Sequence, residues 1–252
     1  MFDLSTIPRK PGQLILVTDT MQAPAEFILQ RIITSHLRNP EARVVIASCL
    51  DGISHWKSTS SKFSSGISLA SRISAGSVVF IDELDRLFQS PSDSPIDVLA
   101  LSSLFCKLSE AMERDSDRSS GGEGLLVLDG LSSFEWMGMP MIHLKRFIRA
   151  LFALCTKRSF SLLIRHHRTD NGQTDEFLRL YLQLAAFHLE VLPLSTGRSG
   201  AISGEVNVLR GPALIESESR QQEVLQRTSA IQYRLLDSGL LFFERGTSAG
   251  IL

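Results

Sequence analysis

The sequence predicts an α/β domain built on a mainly parallel, doubly wound sheet with helices on both faces. Short runs such as Leu14–Val17 and Leu125–Leu128 are apolar at every position, which is typical of strands buried on both faces. These runs alternate with segments of helical periodicity, an order that produces parallel sheets. Two hairpin patterns near the end of the chain predict antiparallel strands at the C-terminal edge of the sheet.

Composition and charge indicate an ordinary globular protein. The 252 residues are 43% hydrophobic and 21% charged, with a formal net charge of −1, so no overall basic field points to nucleic acid. The three cysteines, Cys49, Cys106 and Cys155, fit neither a disulfide framework nor a metal site, which favours a reducing compartment. No apolar run has the length of a membrane span. We therefore expect a cytoplasmic or nuclear protein without a membrane partner.

The first half of the chain predicts three strands and two helices. After the first strand, a helix begins near Pro24, a residue that suits a first helical turn, and ends near Leu37. The next strands are Arg43–Ser48 and Ser77–Ile81. Asp97–Arg114 has apolar residues at helical spacing and predicts a long helix whose apolar face packs on the sheet.

The second half continues the alternation of strands and helices. Leu125–Asp129 and Phe160–Arg165 are predicted strands, and Met141–Lys157 between them is a predicted helix. Thr174–Phe187 is also a predicted helix, with Thr174 as its N-cap. The polar, glycine-rich residues 115–124 predict a flexible insert at the surface.

Two hairpins are predicted near the end of the chain. His188–Leu194 and Glu205–Arg210 flank the glycine-rich loop Ser195–Gly204. The last hairpin turns at Asp237–Gly239. Because neither an internal repeat nor a clear linker divides the sequence, we expect a single domain over residues 1–252.

The segment VVFIDELDRL has the pattern of a strand that ends in catalytic carboxylates. In nucleotide hydrolases, an Asp at the position of Asp82 holds Mg²⁺, and an acid at the position of Glu83 orients the attacking water. Asp129 ends another predicted strand, and ligands bind at the carboxyl ends of strands in doubly wound sheets. The alternative is that Asp82 and Asp129 cap the helices that follow them, and we favour this interpretation.

The chain lacks the glycine-rich loop with which an ATPase holds phosphates. That loop would follow the first strand, where Thr18–Phe27 contains neither glycine nor lysine. Pro24 removes a backbone donor there. Asp19 would repel a phosphate by about 4 kcal/mol at roughly 4 Å and an effective dielectric of about 20. We therefore expect no nucleotide cofactor and no bound metal.

Patterns for other catalytic sites are also missing from the sequence. Asp51–Thr59 carries Lys57 after a strand, but Trp56 stands where a phosphate loop needs glycine, so we predict a loop with an exposed lysine. No Cys/His spacing fits zinc, and no GxSxG occurs. The sequence thus predicts no catalytic residue, and we expect the chain not to be an enzyme.

The densest local positive charge lies in the segment LIRHHR. Arg165, His166, His167 and Arg168 come at the end of a predicted strand and are expected in an exposed loop. Such side chains could contact phosphates, and histidines could stack on unpaired bases. Arg198, in the glycine-rich loop, is a further candidate for nucleic-acid binding. The alternative is a solvated loop that binds no nucleic acid.

Several segments together carry a resemblance over nearly the whole chain. In order, they are the degenerate phosphate loop, SHWKSTSSKFSSG, SVVFIDELDRL, LLVLDGLSSFEWMGM and the final IQYRLLDSGLLFFERGTSAGIL. They resemble the family of the sixth subunit of the Elongator complex. The family pattern does not demand the insert at residues 115–124. The fifth subunit is the nearest competitor, but it tends to carry an acidic tail beyond the fold, whereas this chain stops at Leu252.

The resemblance implies a RecA-like fold without working Walker motifs. Two copies each of the fourth, fifth and sixth subunits form a hexameric ring, which joins the catalytic Elongator subcomplex, binds tRNA and is needed for wobble-uridine modification. Asp129 would occupy the Walker B place, and Asp82 would not. Arg165–Arg168 and Ser195–Gly204 would be placed like the nucleic-acid loops of RecA-like rings. Two alternatives remain: an active RecA- or AAA-type ATPase using Asp82 and Glu83, or another degenerate RecA-like regulatory subunit.

Overall fold

A single mixed sheet runs through the part of the chain that the computed structural model describes. That part comprises Ile7 and residues 9–63, 66–84, 98–113, 123–168, 175–194, 202–217, 230–237 and 239–244. The strands are β1 (Leu14–Asp19), β2 (Arg43–Ser48), β3 (Val78–Asp82), β4 (Gly124–Asp129), β5 (Phe160–His167), β6 (Ala185–Leu192), β7 (Gly204–Arg210), β8 (Ile231–Leu236) and β9 (Gly239–Glu244). The helices are α1 (Glu26–His36), α2 (Ile53–Phe63), α3 (Leu69–Ser74), α4 (Leu99–Glu113), α5 (Ser132–Trp136), α6 (Met141–Lys157), α7 (Glu176–Leu184) and α8 (Pro212–Ser217).

The sheet combines a parallel part with an antiparallel edge. Its strand order is β3-β2-β4-β5-β1-β6-β7-β8-β9. Neighbours from β3 to β6 pair in parallel, and neighbours from β6 to β9 pair antiparallel. Parallel neighbours need crossover connections, which the helices supply. The predicted fold class is confirmed, including the hairpin strands at the C-terminal edge.

The core lies on both faces of the sheet, because successive residues of a strand point to opposite sides. Leu14 and Leu16 of β1 pack with helices α4 to α7 on one face. Ile15 and Val17 pack with α1, α2, α3 and α8 on the other. Burying such a side chain fully stabilises the fold by about 2 kcal/mol each. This two-sided burial explains why Leu14–Val17 and Leu125–Leu128 are apolar at every position.

Helix α6 shows how helical spacing produces one buried face. Leu144, Phe147, Ile148, Leu151 and Cys155 are all buried, as their spacing predicts. They anchor the helix on the sheet. Burial also raises the pKa of the Cys155 thiol to about 12, so this cysteine remains a neutral, apolar core residue at physiological pH.

The boundary between α7 and β6 differs from the prediction. The helix ends at Leu184, and the next residues through Phe187 already belong to β6, where they pair with β1 and β7. Their burial against the sheet outweighs the helical pattern that the sequence shows. Thr174, the predicted N-cap, lies outside the described residues, and Asp175 caps the helix by accepting a hydrogen bond from the backbone N–H of Leu178 at 2.6 Å.

The predicted loop over Asp51–Thr59 is wrong, because most of it forms helix α2. Trp56 is buried, and its indole nitrogen donates a hydrogen bond to Ser48 Oγ at 3.2 Å. This contact fixes the helix against β2. Lys57 is exposed, as expected.

Two other expectations fall on residues that the structure does not describe. The insert at residues 115–124 lies outside the described residues except for its last two positions, and Gly124 begins β4. The helix predicted directly after Asp82 also falls mostly on residues outside the described range. Within the described residues, no helix is both long and apolar enough to cross a bilayer.

Candidate functional site

The carboxyl ends of β1, β5 and β4 lie side by side at the centre of the sheet. Asp19 stands opposite His167, and Asp129 stands opposite Arg165. Doubly wound proteins bind ligands at this edge. Residues that are more than a hundred positions apart in the sequence therefore form one candidate site.

Arg165 and Asp129 form a buried, bidentate ion pair. Arg165 Nε donates to Asp129 Oδ1 at 2.6 Å, and Nη2 donates to Oδ2 at 3.1 Å. Asp129 is 1% exposed and Arg165 is 7% exposed. Burial raises the pKa of the Asp129 carboxyl, and the guanidinium opposes that rise. Paired hydrogen bonds between a guanidinium and a carboxylate combine strength with a fixed orientation.

The same guanidinium faces three more carboxylates. Its Nη1 lies 3.9 Å from Asp19 Oδ2 and 3.7 Å from Glu26 Oε1, and its Nη2 lies 3.7 Å from Asp51 Oδ2. Burial lowers the pKa of Arg165, but Asp129 and Asp19 together raise it above the ordinary arginine value. One buried cation thus compensates four acids, which we call the carboxylate cluster (Asp19, Glu26, Asp51 and Asp129).

Asp19 accepts a hydrogen bond at the start of α1. Its Oδ2 accepts from the backbone N–H of Ala25 at 2.8 Å, and its Oδ1 lies 3.1 Å from His167 Nδ1. In a phosphate-binding loop, the N–H groups at the start of this helix would donate to phosphate oxygens. Here a carboxylate of the chain itself accepts the hydrogen bond, so an incoming phosphate would meet negative charge.

Little space remains beside Arg165. The cavity there has a volume of about 10 Å³, close to the smallest that can hold one water molecule. Gly130, directly after Asp129, has a φ of +74°, and a Cβ at this position would lie 2.2 Å from Leu50 Cγ. The chain therefore turns tightly against the end of β2. This cavity is far smaller than the several hundred cubic ångströms typical of small-molecule pockets.

Among the described residues, those that could together ligate a metal ion are Glu26, Asp51 and His55. One ligand atom from each lies within 4.8 Å of the others, and His55 Nε2 is 3.1 Å from Glu26 Oε2. The sequence analysis did not recognise any of the three as a possible metal ligand. The only signal in the sequence is that they follow strands β1 and β2. A cation here would compete with the Arg165 guanidinium, and two like charges about 4 Å apart repel by about 4 kcal/mol at an effective dielectric of about 20.

The prediction of an exposed loop is wrong for Arg165 and His166. Both belong to β5, which extends to His167 because its last residues pair with the end of β1. His166 is 4% exposed, its Nε2 lies 2.8 Å from Asp175 Oδ2, and its ring meets Tyr181 edge-on. These two side chains are buried in the protein instead of facing solvent.

The pair formed by His166 and Asp175 yields a first prediction. Asp175→Ala should lower the free energy of unfolding by about 2 kcal/mol at pH 7, from a lost N-cap of about 1 kcal/mol and a lost hydrogen bond of about 1 kcal/mol. Asp175→Asn keeps a capping oxygen for Leu178 and should lose less. Urea unfolding measures both variants, and equal losses would show that the cap contributes nothing.

The pH dependence of Asp175 can be measured in the same experiment. Burial raises its pKa, but the hydrogen bonds from His166 and Leu178 lower it more, so the folded-state pKa lies below the ordinary value. The stabilisation is therefore complete above the unfolded pKa, near 4, and is lost as the pH falls through the folded pKa. The difference between the wild-type chain and Asp175→Asn should shrink only below about pH 4.

The remaining basic candidates are partly exposed and already face carboxylates. His167 contacts Asp19, and Arg168 Nη1 donates to Glu190 Oε1 at 2.6 Å. Arg198 lies outside the described residues. The structure thus gathers Arg165 to Arg168 at one end of β5, and its direct role in nucleic-acid binding stays a prediction.

The prediction that Asp129 caps the following helix is wrong, and the same prediction for Asp82 concerns a helix that lies mostly outside the described residues. Asp82 Oδ2 accepts a hydrogen bond from the backbone N–H of Ile53 at 3.4 Å, so it contacts the start of α2. Asp129 is bound to Arg165, and no side chain caps α5. Glu83 is fully buried and pairs with Lys107 Nζ at 2.7 Å. The partners of these three carboxylates are neighbours in space that the sequence does not show.

Fold and site together define a doubly wound, mainly parallel α/β protein whose own carboxylate occupies the usual phosphate position. Comparison with known sequences then identifies the family. The family described as Elongation complex protein 6 matches residues 1–237, and the chain belongs to this family.

The relatives cover nearly the whole chain at low identity. "Elongator complex protein 6" of Xenopus laevis is 24% identical over 256 residues, which is 96% of this chain and 93% of the relative. The protein of that name from Danio rerio is 24% identical over 96% of this chain and 94% of its own length. The one from Rattus norvegicus is 23% identical over 96% and 93%.

Proposed function

We propose that this chain is a non-catalytic, RecA-like subunit of Elongator that supports tRNA binding and wobble-uridine modification by the assembled complex. Family membership supports the place in Elongator. The observation that carries the non-catalytic part is the hydrogen bond from Ala25 to Asp19, because it puts a carboxylate where an ATPase would hold a phosphate.

The charge around Arg165 supports the same proposal. One guanidinium lies among four carboxylates, so the site as a whole attracts cations more than triphosphates. Arg165 and the carboxylate cluster lie where a nucleotide would bind in a doubly wound protein, but their charged groups bind one another. We infer that the site now has a structural task, which is to hold the ends of β1, β4 and β5 together.

The partners that we propose are the fourth and fifth Elongator subunits, arranged with this chain in a hexameric ring. Through the ring, the chain would join the catalytic subcomplex and tRNA. The match over nearly the full length of proteins named for the Elongator complex supports a common assembly. We propose the cytoplasm as the main location, with the nucleus as a second one.

Among the basic candidates, we propose that Arg168 and His167 contact the tRNA backbone, with Arg198 beside them in the assembled ring. The side chains of Arg168 and His167 are 26% and 27% exposed, so each can reach solvent at the carboxyl edge of the sheet. Arg165 and His166 are buried and would act only by holding this end of β5 in place.

A charge reversal tests the proposed contact. Arg168→Glu should lower the affinity of the assembled ring for tRNA and reduce the slope of log K against log salt by about 1, as loss of one phosphate contact does. Arg38→Glu is the matched control. Arg38 is exposed and follows α1, at the opposite end of the strands from Arg168. Affinity is measured over a salt series by a filter-binding assay.

Several outcomes would contradict the proposal. Unchanged tRNA affinity of Arg168→Glu would remove this end of β5 from the interface. Native mass spectrometry of the co-expressed subunits tests the ring, and a chain that never joins the other subunits would contradict it. ATP hydrolysis by the purified chain that disappears in Asp82→Ala would favour the active ATPase.

A further inference from the structure

An apolar groove lies between helices α4 and α6, on the face of the sheet opposite α1. Its volume is about 350 Å³, in the lower range of clefts that receive a ligand or a side chain. Phe105 of α4 and Phe147 of α6 meet edge to face in it, with ring centroids 6.4 Å apart. The other lining residues are Val98, Leu101, Ser102, Cys106, His143, Arg146 and Ala150.

One of the large exposed apolar side chains lines this groove. Among the described residues, the exposed large hydrophobics are Met21, Val98, Leu99, Trp136, Met137, Ile142 and Leu241. Val98 lines the groove, together with the apolar side chains of Leu101, Phe105 and Phe147. Apolar surface that is grouped in this way marks interaction sites, whereas single exposed apolar residues are ordinary.

Arg146 is the charged side chain that lines the groove. It is exposed, and among the described residues no carboxylate lies within ion-pair distance of it. The neighbouring Lys145, in contrast, is paired with Glu176 at 2.5 Å. Within the described part of the chain, the groove therefore combines an apolar floor with a positive charge that can face an acidic group.

We propose that this groove receives an amphipathic helix of another Elongator subunit, with a large apolar residue on the floor and a carboxylate against Arg146. The proposal rests on the proposed function for the existence of such a subunit. Grooves between two helices bind apolar helix faces through anchors at helical spacing. A cation at the rim selects an acidic partner and suppresses basic ones.

Cys106 provides a direct probe of occupancy. It lines the groove and is exposed, whereas Cys49 and Cys155 are buried. N-ethylmaleimide should alkylate Cys106 quickly in the isolated chain and at least about tenfold more slowly in the complex assembled with the other Elongator subunits, because a docked anchor excludes reagent and water. Peptide mass spectrometry assigns the modified cysteine.

Two charge reversals on α6 provide a matched pair. Arg146 lines the groove, whereas Arg149 is exposed on the same helix and does not line it. Arg146→Glu should weaken association with the other subunits at least about tenfold, and Arg149→Glu should change it less than about twofold. Both variants alter net charge equally, and thermal unfolding checks that both fold.

Three alkylation results would overturn the proposal. Equal alkylation rates in the free chain and the complex would place the interface elsewhere, even if the ring forms and binds tRNA. Slow alkylation in the isolated chain at low concentration would mean that the chain covers its own groove. Protection that grows with concentration of the isolated chain, together with a dimer in light scattering, would mean that a second copy is the occupant. Normal assembly of the complex without tRNA binding would contradict the proposed function but not the proposal about the groove.

Discussion

Arg165→Ala is expected to lower the free energy of unfolding by about 3–5 kcal/mol at pH 7, the usual cost of removing one partner of a buried ion pair. The substitution leaves Asp129 buried without its bidentate partner. It also removes the cation that lies within 4 Å of Asp19, Glu26 and Asp51. The loss should therefore exceed that of an exposed salt bridge, which contributes about 1 kcal/mol at most.

The expected loss depends on pH in a direction that identifies its cause. Burial already raises the pKa of Asp129, and removal of the guanidinium raises it further. An acid whose folded pKa lies above its unfolded pKa favours folding most at low pH, and this advantage is lost as the pH rises through the folded pKa. The stability deficit of Arg165→Ala relative to the wild-type chain should therefore shrink as the pH is lowered from 7, as urea unfolding at several pH values would measure.

A double variant distinguishes the cost of the unpaired charge on Asp129 from the cost of lost packing at residue 165. In Arg165→Ala/Asp129→Asn, residue 129 no longer carries a buried charge, so the double variant should be more stable than Arg165→Ala. Arg165→Lys keeps a charge but cannot make two parallel hydrogen bonds, and it should still be clearly destabilised. A loss below about 1 kcal/mol for Arg165→Ala would mean that the network is no stronger than a surface pair.

Much of the fold follows from local patterns. Continuous apolar runs identify β1 and β4, and the spacing of Leu144, Phe147, Ile148 and Leu151 determines the buried face of α6. The boundary at Leu184 was predicted wrongly, because the following residues are apolar and fit either a helix or a strand. Their pairing with β1 decides between the two, and that pairing is a contact across the fold.

The candidate site was less predictable for a related reason. The sequence analysis singled out Asp19, Asp129 and Arg165, but it gave each of them a different role. Their common network depends on the strand order, which places β5 between β1 and β4. A polar run such as RHHR indicates an exposed loop only when no neighbouring carboxylates compensate it. Here Asp129 and Asp175 bind two of its residues and allow their burial.

Acidification from pH 7 to pH 4 is expected to lower the free energy of unfolding through two buried histidines. Burial, with a contribution from Arg9, lowers the pKa of His36 to about 4. Burial also lowers the pKa of His188 to about 4, although Glu190 acts against it. His36 Nε2 donates to the backbone carbonyl of Glu123 at 3.0 Å, which acts against this shift, but burial dominates and favours the neutral ring.

The sign and the pH range follow from these values. Each histidine has a lower pKa in the folded chain than its unfolded value of about 6.5, so its stabilisation is complete above pH 6.5 and is lost as the pH falls to about 4. A difference of about 2.5 pKa units corresponds to about 3 kcal/mol for each residue. Together the two residues should remove a large part of the 5–15 kcal/mol that is typical of a folded domain.

Glutamine variants test the assignment to these two residues. Glutamine can keep a hydrogen bond to the Glu123 carbonyl at position 36 and to Thr18, 2.8 Å away, at position 188, but it does not titrate. His36→Gln/His188→Gln should therefore show a flatter dependence of unfolding free energy on pH between 6.5 and 4.

The histidine effect can be separated from the effect of Asp175 by its pH range and from the effect of Asp129 by its sign. Asp175, whose pKa is lowered, loses its stabilisation only below about pH 4. In Arg165→Ala, Asp129 has lost its partner, and its protonation at lower pH favours the folded chain, which is the opposite direction. A fall in stability between pH 6.5 and pH 4 that persists in the double glutamine variant would therefore contradict the assignment to His36 and His188. A flat profile in that variant would show that two neutral imidazoles, and not the carboxylates, limit the acid stability of the chain.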